Sequence, residues 1–187
     1  MMGLFLDYGK LGFEHVVPLG YDHILFIISM FFLNSKLKYS IIQCSVFTIA
    51  HSITLFMATL GYVHINSKLV ETTIALSIFI LAFENLLHTD LKSWRLLVVF
   101  LFGLIHGLGF ASILEFIEIP ESDLITALFG FNCGVELAQI IVVVICYFVF
   151  AKWFSQKDWY RKYLVIPLSI MISGIGLLWT YERLFSA

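Results

Sequence analysis

Apolar residues in this chain come in six long runs that short polar segments separate. The runs cover about Leu19–Leu33, Ile41–Val63, Leu69–Leu87, Leu96–Leu114, Leu124–Ala151 and Tyr163–Leu184. A helix needs about 20 mostly apolar residues to cross the hydrocarbon core of a bilayer. The pattern therefore predicts an all-α, polytopic membrane protein with six transmembrane helices, built as a single transmembrane domain over residues 1–187.

The segment before the first run has a different character. Asp7 interrupts it and no basic stretch precedes it, whereas Phe5, Tyr8 and Phe13 could lie among lipid headgroups. We therefore expect an uncleaved interfacial segment at the N-terminal end, and no cleaved signal peptide.

Composition narrows the class of protein further. Of the 187 residues, 60% are hydrophobic and 13% are charged, and the mean hydropathy is +0.96. These values exclude a water-soluble enzyme and point to the lipid bilayer as the surrounding solvent. The net charge of -2 provides no basic face for nucleic acid. The three cysteines lack CxxC spacing, so we interpret them as packing residues.

The cations are distributed unequally between the two predicted sides of the membrane. One side carries only Lys10, Lys68 and Arg183. Since cytoplasmic loops are enriched in cations, we expect the richer side in the cytoplasm and both termini outside the inner (plasma) membrane. The outward loop after the fourth run would then form an acidic vestibule or a merely soluble loop, with Glu115, Glu118, Glu121 and Asp123. The richer side carries Lys36, Lys38, Lys92, Arg95, Lys152, Lys157, Arg161 and Lys162.

Five of the ionisable residues inside the apolar runs are candidates for one site, because they are costly in lipid. They are Asp22, His23, His51, His106 and Glu136. A carboxylate at mid-membrane costs about 2.5–3.5 kcal/mol on insertion scales, so each needs a compensating partner. The predicted directions of the runs bring all five to similar depth in the outer half of the membrane. They could therefore form one cluster, satisfied either by a guest or by hydrogen bonds among themselves.

Two pairs of glycines flank the candidate residues with the GxxxG spacing that lets helices approach closely. They are Gly103 with Gly107, and Gly130 with Gly134. Contact between the fourth and fifth runs would bring His106 toward Asn132 and Glu136. Helix packing alone is the other interpretation of both pairs.

Other polar residues share helix faces with the candidates. Ser52, Thr54, Asn132 and Gln139 could orient ligands from behind, although a Ser or Thr in a helix often bonds its own backbone. Glu84 and His88 lie four residues apart on one face of the third run. These two could form an inner cation site, or they could belong to a solvated helix end.

Imidazole nitrogens combined with carboxylate oxygens favour a divalent transition metal such as nickel, zinc, cobalt or iron(II). The absence of a thiolate cluster from the sequence argues against copper(I) and against structural zinc. One alternative is an intramembrane zinc hydrolase acting on a lipid or membrane peptide, with three histidines, an aspartate and nearby Ser52. Another is a structural partner whose polar groups only pack, and this one predicts no bound metal.

The motifs resemble the HupE/UreJ family, particularly its HupE/UreJ_2 branch, over about residues 14–139. The resemblance implies a membrane protein linked to hydrogenase and urease accessory systems, a nickel or cobalt permease. The resemblance implies metal-ligating roles for His15, Asp22 and His23, which match the family's first-span signature. His106 and Gly107 match its later His-Gly element. We therefore expect a divalent cation, nickel or zinc, at His15, Asp22, His23, His51, His106 and Glu136. The segments that carry the resemblance are HVVPLGYDH (15–23), FTIAHSITL (47–55), Glu71 with Ile74–Ser77, Glu84–Asn85, FGLIHGLGFA (102–111) and FNCGVE (131–136).

Overall fold

The chain folds into helices throughout the part that the computed structural model describes, residues 2–89, 92, 94–114 and 122–185, with only the backbone for 111–114. Between these limits no residue lies in a strand. The prediction of an all-α fold is therefore confirmed. The helices are α1 (Met2–Val16), α2 (Tyr21–Leu33), α3 (Leu37–Thr59), α4 (Ser67–Leu87), α5 (Arg95–Leu114), α6 (Leu124–Phe154) and α7 (Arg161–Phe185).

Four of these helices, α3, α4, α6 and α7, are long and apolar enough to cross a membrane, with mean hydropathies from 1.6 to 2.3. Helices α1 and α2 form a pair bent by 69° that together could supply a fifth span. Helix α5 is also apolar, and the part of it with described side chains, Arg95–Phe110, is shorter than these four helices. The protein is thus a multi-pass membrane protein with four to five candidate spans, and the count of six is not confirmed.

The largest departure from the prediction concerns the first run. Helix α2 has 13 residues, about 20 Å at 1.5 Å per residue, which is too short for a hydrocarbon core of about 30 Å. The preceding segment, which we expect at the interface, forms helix α1 and packs along α6. A Cβ added at Gly130 or Gly134 would collide with the carbonyl oxygen of Phe5 or Gly9, so these glycines allow the contact.

The other glycine pair brings α5 against α3. A Cβ at Gly103 would meet the backbone of Phe47, and one at Gly107 would meet the carbonyl of His51. Both predicted GxxxG pairs are packing surfaces, but the expected contact between the fourth and fifth runs is wrong about the partner. The spacing of small residues indicates that one face of a helix allows close approach of another helix. It does not indicate which helix will pack there.

Two sets of helix contacts, α7 with α4 and α6 with its three neighbours, determine where the buried polar residues lie. Helix α7 lies along α4, where Gly176 faces the backbone of Phe79. Helix α6 contacts α1, α2 and α3. Its last turns are π-helical over Tyr147–Ala151, and α7 begins with a π-helical segment, Arg161–Val165. The buried apolar side chains between these helices are rich in phenylalanine.

Candidate metal centre

Four of the six histidines, each from a different helix, point into one region of the bundle. His15 lies in the last turn of α1, His23 at the start of α2, His51 within α3 and His106 within α5. The break between α1 and α2 turns the chain so that His15 and His23 face each other. Gly20 is required there, because a Cβ at this position would collide with the carbonyl oxygen of His15.

The histidine rings are close enough to share one ion. Ligand atoms of His15, His23 and His51 all lie within 4.8 Å of one another. The ring centroid of His23 is 4.7 Å from that of His15 and 5.2 Å from that of His106. Two nitrogens that bind the same zinc or nickel ion, each about 2.0–2.1 Å away, are separated by about 3–4 Å. A small inward movement of the side chains would therefore complete the coordination of an ion.

Asn132 fixes which nitrogen of His51 is available. The amide nitrogen of Asn132 donates to the carbonyl oxygen of Leu128 at 2.8 Å, so its Oδ1 is the atom that faces His51. That oxygen lies 3.2 Å from Nδ1 of His51 and can only accept a hydrogen bond. Nδ1 of His51 must therefore carry the proton, which leaves the lone pair on Nε2.

The same arrangement recurs at two further histidines. Nδ1 of His23 lies 3.1 Å from the carboxylate of Asp22, and Nδ1 of His106 lies 2.8 Å from the carbonyl oxygen of Phe102. Both partners are acceptors, so both rings present Nε2 as an unprotonated nitrogen. A metal-binding histidine usually donates its other ring nitrogen to a carboxylate or a carbonyl in this way.

The Nε2 atoms of all four histidines are buried and have no hydrogen-bond partner among the described residues. A buried polar atom left without a partner costs about 1–3 kcal/mol. In the neutral rings of His23, His51 and His106, where Nδ1 carries the proton, these atoms offer lone pairs. We call His15, His23, His51 and His106 the histidine cluster; a cation is the guest that its chemistry suits.

Aromatic rings enclose the cluster. The ring of His51 lies between those of Phe47 and Phe131, with centroids 6.1 and 6.3 Å away. Phe110 covers His15 at 4.3 Å, and its ring stacks on that of Phe131 at 4.5 Å. His23, His51 and His106 are at most 2% exposed. The centre is therefore closed off by phenylalanine side chains from three helices.

The structure places Glu136 outside this group. Its carboxylate accepts hydrogen bonds from the hydroxyls of Ser45 at 2.6 Å and Thr48 at 2.5 Å. It lines a groove of about 430 Å³ on the surface between α3 and α6, together with Asn132 and Ser52. Two hydroxyl donors supply the compensating partners that the sequence argument requires for this carboxylate.

The residues proposed as orienting groups fall into two kinds. Asn132 contacts His51 directly, as described above. Gln139 contacts Thr48 at 3.2 Å, beside Glu136. Ser52 donates to the carbonyl oxygen of Thr48 at 2.6 Å, and Thr54 lies within 3.4 Å of carbonyls of its own helix. For Ser52 and Thr54, the structure therefore agrees with the alternative that a Ser or Thr in a helix bonds its own backbone.

Glu84 and His88 are not brought together through their side chains. Glu84 is buried in α4 and forms an ion pair with Arg95, at the start of α5. The contact between Glu84 and His88 is the backbone bond from the His88 nitrogen to the Glu84 oxygen, 2.9 Å long. Gln43 accepts from Nε of Arg95 at 3.3 Å. We call Glu84, Arg95 and Gln43 the ion-pair cluster.

Sequence reasoning missed Arg95, which is fully buried although it was assigned to a loop. The signal was available, because Glu84 lies in an apolar run and needs a compensating partner as much as Asp22 does. Of the predicted acidic vestibule, Glu115, Glu118 and Glu121 lie outside the described residues. Asp123 directly precedes α6.

Comparison with known proteins extends the resemblance beyond the motifs. The family model described as HupE / UreJ protein matches residues 1–183 and therefore includes α7, which the motifs do not reach. No curated protein and no solved structure is significantly similar to the chain. A match over nearly the whole chain settles the family: the chain belongs to the HupE/UreJ proteins.

Proposed function

We propose that this protein is a membrane permease for a divalent transition-metal cation, nickel or a closely related ion. The cation is the transported substrate, bound by Nε2 of His15, His23 and His51, with His106 and Asp22 beside them. One observation carries the proposal: the buried Nε2 atoms of four histidines from four helices converge, and none has a hydrogen-bond partner among the described residues. Nickel and related ions prefer such imidazole ligands.

The origin of the ligands favours transport over a fixed structural site. Each histidine belongs to a different helix, and one pair flanks the bent junction between α1 and α2. A movement of either helix would pull the ligands apart and release the ion. Sites formed at broken helices between separately moving elements are typical of secondary transporters.

Charge also fits a carrier. Asp22 is the carboxylate hydrogen-bonded to the cluster, through Nδ1 of His23. A divalent ion held by neutral imidazoles and one carboxylate keeps an uncompensated positive charge in a low-dielectric surrounding, which limits the affinity. A transporter must release its substrate, so such partial compensation suits it better than full neutralisation.

The proposed orientation places entry on the outer side. The unequal distribution of cations puts the ends of α2 and α6 in the cytoplasm, and the histidine cluster then lies nearer the outer face. The phenylalanine rings of Phe110 and Phe131 would separate the cluster from the outside, and those of Phe26 and Phe47 from the inside. Phe26 lies 5.1 Å from His106, between centroids.

Nickel binding and transport test the proposal together. Purified protein is titrated with nickel by calorimetry, and nickel uptake is measured in proteoliposomes. We expect His51→Ala and His106→Ala each to lower the affinity by about ten-fold or more and to slow uptake in parallel. His64→Ala is the matched control, because His64 is exposed and lies outside the cluster.

Two results would contradict the permease. Folded protein that binds neither nickel nor zinc would leave only polar packing for the histidines. A metal-loaded protein that transports none but cleaves an added lipid or peptide would support the zinc hydrolase. We do not advance that second function, because Ser52, its candidate partner at the site, donates to the backbone of its own helix.

A further inference from the structure

A second, polar cavity lies at the end of the bundle where α2 ends and α3 begins, beside the connection from α6 to α7. It has a volume of about 330 Å³. We call it the inner-end cavity. It is independent of the histidine cluster and of the proposed transport. Its polar lining includes Asn34, Ser35, Lys36, Gln156, Tyr160 and Arg161.

Cations and hydrogen-bond donors dominate this cavity. Lys36 and Arg161 both line it, and none of its described lining residues has a carboxylate side chain. The side-chain oxygen of Asn34 already accepts a hydrogen bond from the backbone nitrogen of Lys36 at 3.2 Å, so the side-chain NH₂ group of Asn34 remains as a donor. The hydroxyls of Ser35 and Tyr160 are paired at 3.0 Å. Such a surface is complementary to an anion with several oxygens.

The backbone adds to the positive character. Lys36, which lines the cavity, is the N-cap residue of the 23-residue helix α3 and provides no side-chain cap, so the positive end of the helix dipole lies beside the cavity. Arg161 is held in place by a hydrogen bond of 2.9 Å from its Nη2 to the carbonyl oxygen of Asn85. The guanidinium therefore stands at the cavity in a fixed position, with further N–H groups to donate.

Aromatic side chains around the cavity indicate its depth in the bilayer. Trp153, Trp159 and Tyr163, on the α6–α7 connection and its flanks, are 63%, 42% and 67% exposed. Lys162 lies over the ring of Tyr163 at 5.3 Å. Exposed Trp and Tyr beside Lys are typical of the headgroup region of a membrane. The cavity thus opens where lipid phosphates lie and not into bulk water.

We propose that the inner-end cavity binds the phosphate-bearing headgroup of an anionic phospholipid. Lys36 and Arg161 pair with the phosphate, the amide of Asn34 donates to one of its oxygens, and the positive end of α3 lies beside it. The volume accommodates a phosphate together with its glycerol. Basic cavities between transmembrane helices on the cytoplasmic side are suited to such headgroups.

Native mass spectrometry of the full-length protein in detergent tests this. The protein is titrated with phosphatidylglycerol and, separately, with phosphatidylcholine, and bound lipid is counted. We expect phosphatidylglycerol to be retained preferentially, and Lys36→Gln to lower its retention about five-fold, with a further loss in Lys36→Gln/Arg161→Gln. The matched control is Lys38→Gln/Lys157→Gln, which removes two exposed cations outside the cavity lining.

The possible outcomes separate clearly. Equal retention of the two lipids, or equal losses in the cavity and control variants, would overturn the proposal. Displacement of phosphatidylglycerol by millimolar inorganic phosphate would also overturn it, in favour of a site for soluble phosphate. The single variant Lys36→Gln keeps the test valid even if the loss of Arg161 prevents folding, since the Lys36 side chain is exposed.

Discussion

The protein buries two polar clusters of opposite kinds in one helix bundle. In the ion-pair cluster, the carboxylate of Glu84 faces the guanidinium of Arg95, and Gln43 accepts from the same guanidinium. In the histidine cluster, Nε2 is the acceptor in the neutral rings of His23, His51 and His106, and no described residue bonds to any of the four Nε2 atoms. At about 1.5 Å per residue, the spacings from Gln43 to His51 and from Arg95 to His106 place the clusters roughly 12–17 Å apart along the helices.

The contrast is between charged groups that are paired with each other inside the protein and imidazole nitrogens that no described residue contacts, which leaves them able to bind a cation. Donor and acceptor are both present in the ion-pair cluster, so its charges compensate each other within the chain. In the histidine cluster, Nδ1 of His23, His51 and His106 is bonded to a carboxylate, an amide and a carbonyl respectively, and no described donor faces any of the four Nε2 atoms. Removing one member should therefore destabilise the protein in the first cluster and weaken cation binding in the second.

The largest expected effect comes from breaking the ion pair. Arg95→Met leaves the carboxylate of Glu84 buried and unpaired, and should lower the free energy of unfolding by about 3–5 kcal/mol. The measurement is unfolding of the purified protein by denaturing detergent. The double variant Glu84→Leu/Arg95→Met removes both charges and should recover most of the loss. If Arg95→Met unfolds at the same detergent concentration as the wild type, the pair contributes nothing and the contrast between the clusters fails.

A smaller effect is expected from Asn132, which acts on the histidine cluster through His51. Asn132→Leu removes the acceptor that keeps the proton on Nδ1 of His51, and should weaken nickel binding by about 10–100-fold without changing its stoichiometry. Calorimetry measures both quantities. Gln139→Leu is the matched control on the same helix, since Gln139 contacts Thr48 and no member of the cluster. Equal losses in the two variants would mean that Asn132 acts only by packing.

The sequence was sufficient to predict the helical membrane fold and three members of the histidine cluster, His23, His51 and His106, whereas His15 was predicted from the family resemblance. Apolar runs and the cost of buried polar groups are local properties that a sequence displays directly. The sequence was not sufficient to predict which helices pack together and which residues pair. Gly130 and Gly134 pack against α1, and Glu84 is compensated by Arg95, because helix pairing depends on the shapes of whole faces. The bend between α1 and α2 was missed for a related reason: one side of α1 packs along α6, which its own sequence does not reveal.

Glu136 provides the finest test of the comparison, because the sequence predicts it as a ligand whereas the structure places its carboxylate on the hydroxyls of Ser45 and Thr48. Glu136→Gln keeps the shape of the side chain and an acceptor for one hydroxyl. Sites that share no direct partner act almost independently, so nickel affinity should change by no more than about two-fold. Calorimetry beside His51→Ala decides the question. A loss as large as that of His51→Ala would make Glu136 a ligand, and would mean that α3 and α6 rearrange when the cation binds.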